Sequence, residues 1–140
     1  MAIPAVLKYT WAAPCTAVGG IIGSLLCCFG ASPRLVCGVL EVGFRNRRHP
    51  CASALLRLPF RGITFGHVVL APTHECQAAL RLHERVHVEQ YERWGVFFFG
   101  LYAGSSLIQL LSGRRPYMDN YFEVEARQRG TRSNGPAGKA

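Results

Sequence analysis

The spacing of apolar and polar positions changes several times along the chain, and each change marks a predicted element. From Trp11 to Ala31 no residue carries a charge. As a helix these 21 residues measure about 31 Å, against about 30 Å of bilayer hydrocarbon. The run is expected to be a transmembrane helix over 11–31, behind a short N-terminal segment, 1–10. Pro14 suits its first turn, and Gly19 and Gly23 offer a small-residue face for close helix packing. A cleaved signal peptide, with Lys8 in its basic region, and a buried soluble helix are the competing readings.

From residue 34 the period shortens. RLVCGVLEVGF, residues 34–44, alternates and is rich in β-branched residues, which predicts a strand. The polar turn 45–50 leads to a second expected strand at 53–60, and Arg61-Gly62 leads to a third at 63–71. Strands this closely spaced imply an antiparallel meander over 34–71. The period then becomes helical. Thr73 is expected to cap a helix reaching Trp94 and ending at Gly95, with Glu75 in its first turn. Arg85–Glu89 and Glu89–Arg93 would be supporting i,i+4 pairs. Residues 95–112 form a second uncharged run, and a further helix is expected over 117–129. The polar stretch 130–140 reads as a disordered basic tail. The fold class is thus α+β: an N-terminal membrane helix, a short antiparallel sheet and a helical region over 73–129.

Composition sharpens this picture in two places. Hydrophobic residues make up 49% and charged residues 17% of 140, so one domain with a membrane segment accounts for the chain. The net charge of +8 is scattered, with no basic run interleaved with aromatics. Attraction to a membrane surface is therefore expected rather than nucleic-acid binding. The basic residues after the first apolar run (Arg34, Arg45, Arg47, Arg48) place the following domain on the cytoplasmic side. No two of the six cysteines form a C-x-x-C pair, which argues against a four-sulfur zinc site. A Cys51–Cys76 bridge stays open, although a reducing compartment is favoured.

The sharpest chemical signal is His83-Glu84-Arg85-Val86-His87, an H-E-x-x-H within the expected 73–94 helix. Four residues make a little over one turn, so both imidazoles project from one face and can bind the same zinc ion (Zn2+). Glu84 then stands beside the metal as general base for water. Two histidines leave a catalytic zinc one protein ligand short. No histidine follows the motif, so the downstream carboxylates Glu123 and Glu125 are the candidates. His67 could face the cleft from its strand, and Tyr117 and Tyr121 could donate to an oxyanion. Packing is the ordinary role for these and for Tyr91 and Trp94, and His74 and Cys76 are not expected on the metal.

HERVHVEQYERWG followed by DNYFEVEA resembles a group of small bacterial membrane-associated proteins that read as minimal relatives of the gluzincin-type zinc metallopeptidases. The similarity extends from about Tyr9 to Ala126. In membrane gluzincins related to the prenyl-protein protease and heat-shock peptidase families, an E-x-x-A-D motif opens with the third ligand. Glu123 and Ala126 match its E-x-x-A part, while Arg127 departs from the final Asp. The resemblance implies a zincin-like core, a peptide or protein substrate, and a strand before the helix, within 63–71, to which that peptide adds. The alternatives are a metal-binding membrane protein without turnover and a structural membrane protein without metal.

Zinc ligation by residues on both sides of 95–112 also constrains topology. A single crossing by this run would put His87 and Glu123 on opposite faces of a bilayer. The run is therefore expected to be a core or interfacial helix, or a hairpin folding back near Gly104–Ser106. Its Gly100 and Gly104 form a further small-residue face, expected to pack on Gly19 and Gly23.

Overall fold

The computed structural model describes residues 4–132. Its elements are α1 (Ala5–Cys28), β1 (Ser32–Val36), β2 (Val39–Phe44), α2 (Pro50–Leu55), β3 (Ile63–Phe65), β4 (Val68–Thr73), α3 (His74–Trp94), α4 (Phe97–Leu111) and α5 (Tyr121–Arg132). The chain is α+β, with an N-terminal apolar helix and a mixed four-stranded sheet of order β1-β2-β4-β3.

The sheet differs from the antiparallel meander, for reasons visible in its turns. Residues 34–44 form a hairpin rather than one strand, because Cys37 and Gly38 both take positive φ, 46° and 77°. That is the two-residue turn matching strand twist. Likewise 63–71 is a hairpin. Gly66, at φ 58°, opens the turn before His67, and Phe65 pairs with Val68. The expected strand 53–60 is instead the short helix α2 followed by turns. Pro50 sits at its start, where a fixed φ favours helix, and no residue of 53–60 is β-branched. With α2 crossing a face of the sheet, the chain re-enters so that β4 runs parallel to β2.

Both faces of the sheet are covered. On one, Val42, Phe44, Val68 and Leu70 pack with Ala52 of α2 and with Ile22 and Leu26 of α1. On the other, Val39 and Val69 meet Val88 of α3. The small residues of α1 set this approach. A Cβ on Gly19 would lie 2.8 Å from the Cβ atoms of Phe65 and Val68, and one on Gly23 3.1 Å from Val42. The glycine face of α1 therefore packs on the sheet and not on Gly100 and Gly104, around which a Cβ would meet nothing within 4 Å.

Helix α1 starts at residue 5, earlier than the 11–31 boundary. It is the one helix among the described residues long and apolar enough to cross a membrane, and could be an anchor or a signal sequence. Lys8 lies inside it and pairs with Glu92 at 2.9 Å. Its outward positions, among them Val6, Ile21 and Leu25, are exposed.

Helix α3 begins and ends where the sequence marks it. Thr73 Oγ1 accepts from the Cys76 N–H, and Gly95 closes the helix. The i,i+4 pairs expected on it give way to longer connections: Arg85 donates to the carbonyls of Val36 and Cys37, and Glu89 pairs with Arg129. Helix α4 leaves α3 at 115°. It is continuous through Gly104–Ser106 and makes no hairpin. The two serines instead hold the start of α5. Ser105 Oγ accepts from the Tyr121 N–H, and Ser106 Oγ from Asn120 Nδ2. The fully buried Asn120 also donates to Tyr102 O and caps α5 through the Phe122 N–H. Hence α5 starts at Tyr121, not at 117, and runs through Arg132. Within the expected tail, 130–132 are helical, and 133–140 lie outside the described residues. Cys51 and Cys76 are free thiols.

Candidate metal centre

Helix α3 presents His83 and His87 on the side facing α5, and the first turn of α5 carries Glu123 toward them. The two Nε2 atoms are 3.1 Å apart. Glu123 Oε2 lies 3.3 Å from His83 Nε2, and Oε1 3.3 Å from His87 Nε2. A tetrahedral zinc with ligand bonds of about 2.0–2.1 Å has edges of about 3.3–3.4 Å. The two imidazole nitrogens each face one oxygen of the same carboxylate at about that separation, and with one ligand atom from each residue within 4.8 Å of the others, His83, His87 and Glu123 could hold a metal ion. Glu123 is 4% exposed, and its buried Oε2 accepts no hydrogen bond. A buried carboxylate oxygen that accepts no hydrogen bond and faces an imidazole nitrogen fits a bound cation.

The electrostatics agree. Burial pushes the Glu123 carboxyl up, but the two imidazoles outweigh it and hold the group well below the usual carboxylate range. Burial pulls His87 down, and the adjacent Glu123 more than reverses this, leaving the imidazole above its ordinary value. The pocket therefore favours a positive charge at its centre, whether a proton or a metal.

A partner invisible to motif reading fixes His87. Its Nδ1 meets Gln90 Oε1 at 2.8 Å, while Gln90 Nε2 donates to Glu125 Oε2 at 2.8 Å and to Phe122 O at 3.2 Å. Two acceptors on the amide nitrogen leave only the oxygen for His87. His87 Nδ1 must then carry the proton, and Nε2 turns its lone pair to the triad. Glu125, the second candidate ligand, stands behind Gln90 and not at the centre. The only sequence hint of Gln90 is its i,i+3 spacing from His87. Tyr102 OH, likewise missed, donates to Glu123 Oε1 at 2.8 Å.

Glu84 is 5% exposed and opens on the same cavity. Its Oε2 accepts from Thr64 Oγ1 at 2.7 Å, which ties it to β3. A Cβ on Gly62 would lie 2.7 Å from Glu84 Oε1, so only glycine leaves this carboxylate its place. The cavity, about 400 Å3, is bounded by β3, by His83, Glu84 and His87, by Phe98, Phe99 and Tyr102 of α4, and by Tyr117 and Glu123. Tyr117 is pushed up to about 12, mainly by burial, with Glu123 and Glu84 adding. It remains a hydrogen-bond donor at neutral pH.

The other candidates lie elsewhere. His67 does not face the cleft: it occupies the β3–β4 turn, stacks on Tyr9 and bonds Glu92 at 3.1 Å. Tyr121 is 65% exposed and does not line the cavity. Tyr91 is buried against Phe98, and Trp94 is largely exposed. His74 bonds Ser32 Oγ, and neither it nor Cys76 joins the triad. Compared with protein-family models, curated proteins and solved structures, the chain matches none.

Proposed function

We propose that this chain is a membrane-associated zinc metallopeptidase. The observation carrying the reading is the convergence of His83, His87 and Glu123, with ligand atoms within 4.8 Å of one another and Glu84 held beside them on the wall of the same cavity. Three protein ligands leave a fourth position open, as catalytic sites require and structural sites do not. Zinc so held would supply a Lewis acid that polarises a carbonyl and acidifies water.

The chain's own residues divide the remaining work. Glu84 takes the proton of the attacking water and returns it to the departing amine. Thr64 and Gly62 hold its carboxylate for that transfer. Tyr117 donates toward the oxyanion from across the cavity, and the rings of Phe98 and Phe99 keep bulk water out. Peptide as the substrate class is supported by β3, an edge strand whose outer side no described element pairs, so an extended peptide can add to it. Resemblance to the gluzincins points the same way. Membrane association is supported by the uncharged outer faces of α1 and α4, where Val6, Ile21, Phe97, Ile108 and Leu111 are exposed. The arginines following α1 favour a cytoplasmic site.

Glu84→Gln separates chemistry from binding. The variant should keep wild-type zinc content while hydrolysis of a casein or fluorogenic peptide substrate falls by about 10²–10⁴-fold. Equal turnover in both proteins would remove Glu84 from the mechanism, and no zinc in either would remove the metal.

A further inference from the structure

We infer that the substrate carries bulky apolar residues on either side of the residue that pairs with Thr64, and that a second hollow on the opposite face of the sheet receives one of them. The inference rests on the metallopeptidase reading above and names its substrate class. The hollow has a volume of about 260 Å3 and a wall that is almost entirely hydrocarbon. Ile22 and Leu26 of α1, Leu55 and Leu58 of α2 and its following turn, Ile63 of β3 and Leu70 of β4 bound it. It shares Phe60, Gly62, Ile63 and Phe65 with the catalytic cavity. The two spaces therefore meet around the edge strand.

Strand geometry says what links them. In β3 the Thr64 side chain points toward α3 and bonds Glu84, while Phe65 packs on α1 at Gly19 and, by alternation, Ile63 shares its face. The Gly66-His67 turn makes Phe65 and Val68 the hydrogen-bonded closing pair of a two-residue hairpin. Thr64 then falls in the non-bonded pair with Val69, and its N–H and C=O point away from β4, to the open edge. A peptide added antiparallel there bonds Thr64 through one residue, whose side chain lies on Thr64's face, in the catalytic cavity. The residues before and after it turn their side chains to the other face, that of Ile63 and Phe65, where the apolar hollow lies. Among the described residues, Arg61 is the one charged residue that lines the hollow, so a basic side chain there would lose its hydration against hydrocarbon and a like charge. Leu, Phe or Met would fill it.

The test uses binding as well as turnover. The zinc-loaded Glu84→Gln protein in detergent is titrated with fluorescein-labelled octapeptides of one backbone, carrying either Leu or Lys on both sides of a central Ala. Fluorescence anisotropy should give the Leu peptide about tenfold or greater preference. Leu58→Asp in the same background should erase most of that preference with zinc content unchanged. The milder Leu58→Ala should shift it toward Phe and Trp. Equal binding of the two peptides, or a preference untouched by both Leu58 variants, overturns the inference. If wild type cleaves both peptides equally well, this specificity fails and the peptidase reading stands. If neither peptide binds and wild type cleaves neither, the peptidase reading itself fails and takes the inference with it.

Discussion

Gln90 decides which nitrogen of His87 faces the triad, although it touches no candidate metal position. Its amide oxygen holds His87 Nδ1–H while its nitrogen is committed to Glu125 and Phe122 O. Gln90→Ala removes the orienting acceptor and should weaken zinc affinity by about 10–100-fold. Competition against a fluorescent chelator would measure it, and unchanged affinity would mean that packing alone orients the ring. The titrations of His87 and Glu123 make a second prediction. In metal-free protein, raised His87 adds stability that is complete below its ordinary 6.5 and fades as pH rises through its folded value. Depressed Glu123 adds stability present above 4.5 and lost as pH falls through its folded value. Urea unfolding with EDTA should therefore find these two contributions jointly greatest between about pH 4.5 and 6.5. The His83→Ala, His87→Ala double variant should lose that maximum. With zinc present the alkaline loss should vanish, because the ion needs the deprotonated imidazole. A metal-free stability that climbs steadily to pH 8 in wild type but not in the double variant would contradict the coupling of these groups.

At the scale of elements, the site depends on α5 being seated correctly, and Asn120 seats it. This buried amide caps α5 and ties it to Tyr102 O and Ser106. Asn120→Ala should cost about 2–4 kcal/mol, from a lost cap and stranded buried partners. Because Glu123 lies three residues on, zinc content should fall with it; thermal melts with and without zinc would read both. Gly19→Leu tests the other face. Its Cβ already conflicts with Phe65 and Val68 across a close helix–sheet contact. A loss of about 1–3 kcal/mol or more is expected, whereas a neutral change would show α1 standing off the sheet. The same elements show what the sequence made legible. Thr73, the long 3.6 period and Gly95 act locally, so α3 was readable almost to the residue. The strand regions misled because two hairpin turns hide inside apolar runs. Cys37-Gly38 and Gly66-His67 carry no polar turn signature beyond a single glycine, and the parallel β2–β4 pairing is a long-range choice with no local mark.

Across the whole molecule, the two histidines and the intervening glutamate were readable from spacing alone, since one helical turn fixes their geometry. The choice of Glu123 over Glu125 rests on the E-x-x-A resemblance and not on spacing. Which carboxylate faces the histidines depends on the rotation of α5, which Asn120 and the serines of α4 set through contacts far apart in sequence. His87 and Glu123 stand together although 95–112 lies between them, because α4 turns 115° from α3 and α5 comes back to it. The folded chain also leaves α1 and α4 with apolar outer faces. The protein should accordingly partition with membranes and be released by detergent rather than by salt or carbonate. Recovery in the carbonate supernatant would contradict that.

We propose that the carboxylate of Glu123 completes a metal centre begun by two imidazoles one helical turn apart. Elemental analysis of folded wild type, Glu123→Ala and Glu125→Ala gives the zinc stoichiometry of each. One zinc per chain in wild type, near-complete loss in Glu123→Ala and retention with reduced affinity in Glu125→Ala is the predicted result. Full zinc in Glu123→Ala, or none in wild type after purification with zinc supplied, would contradict it.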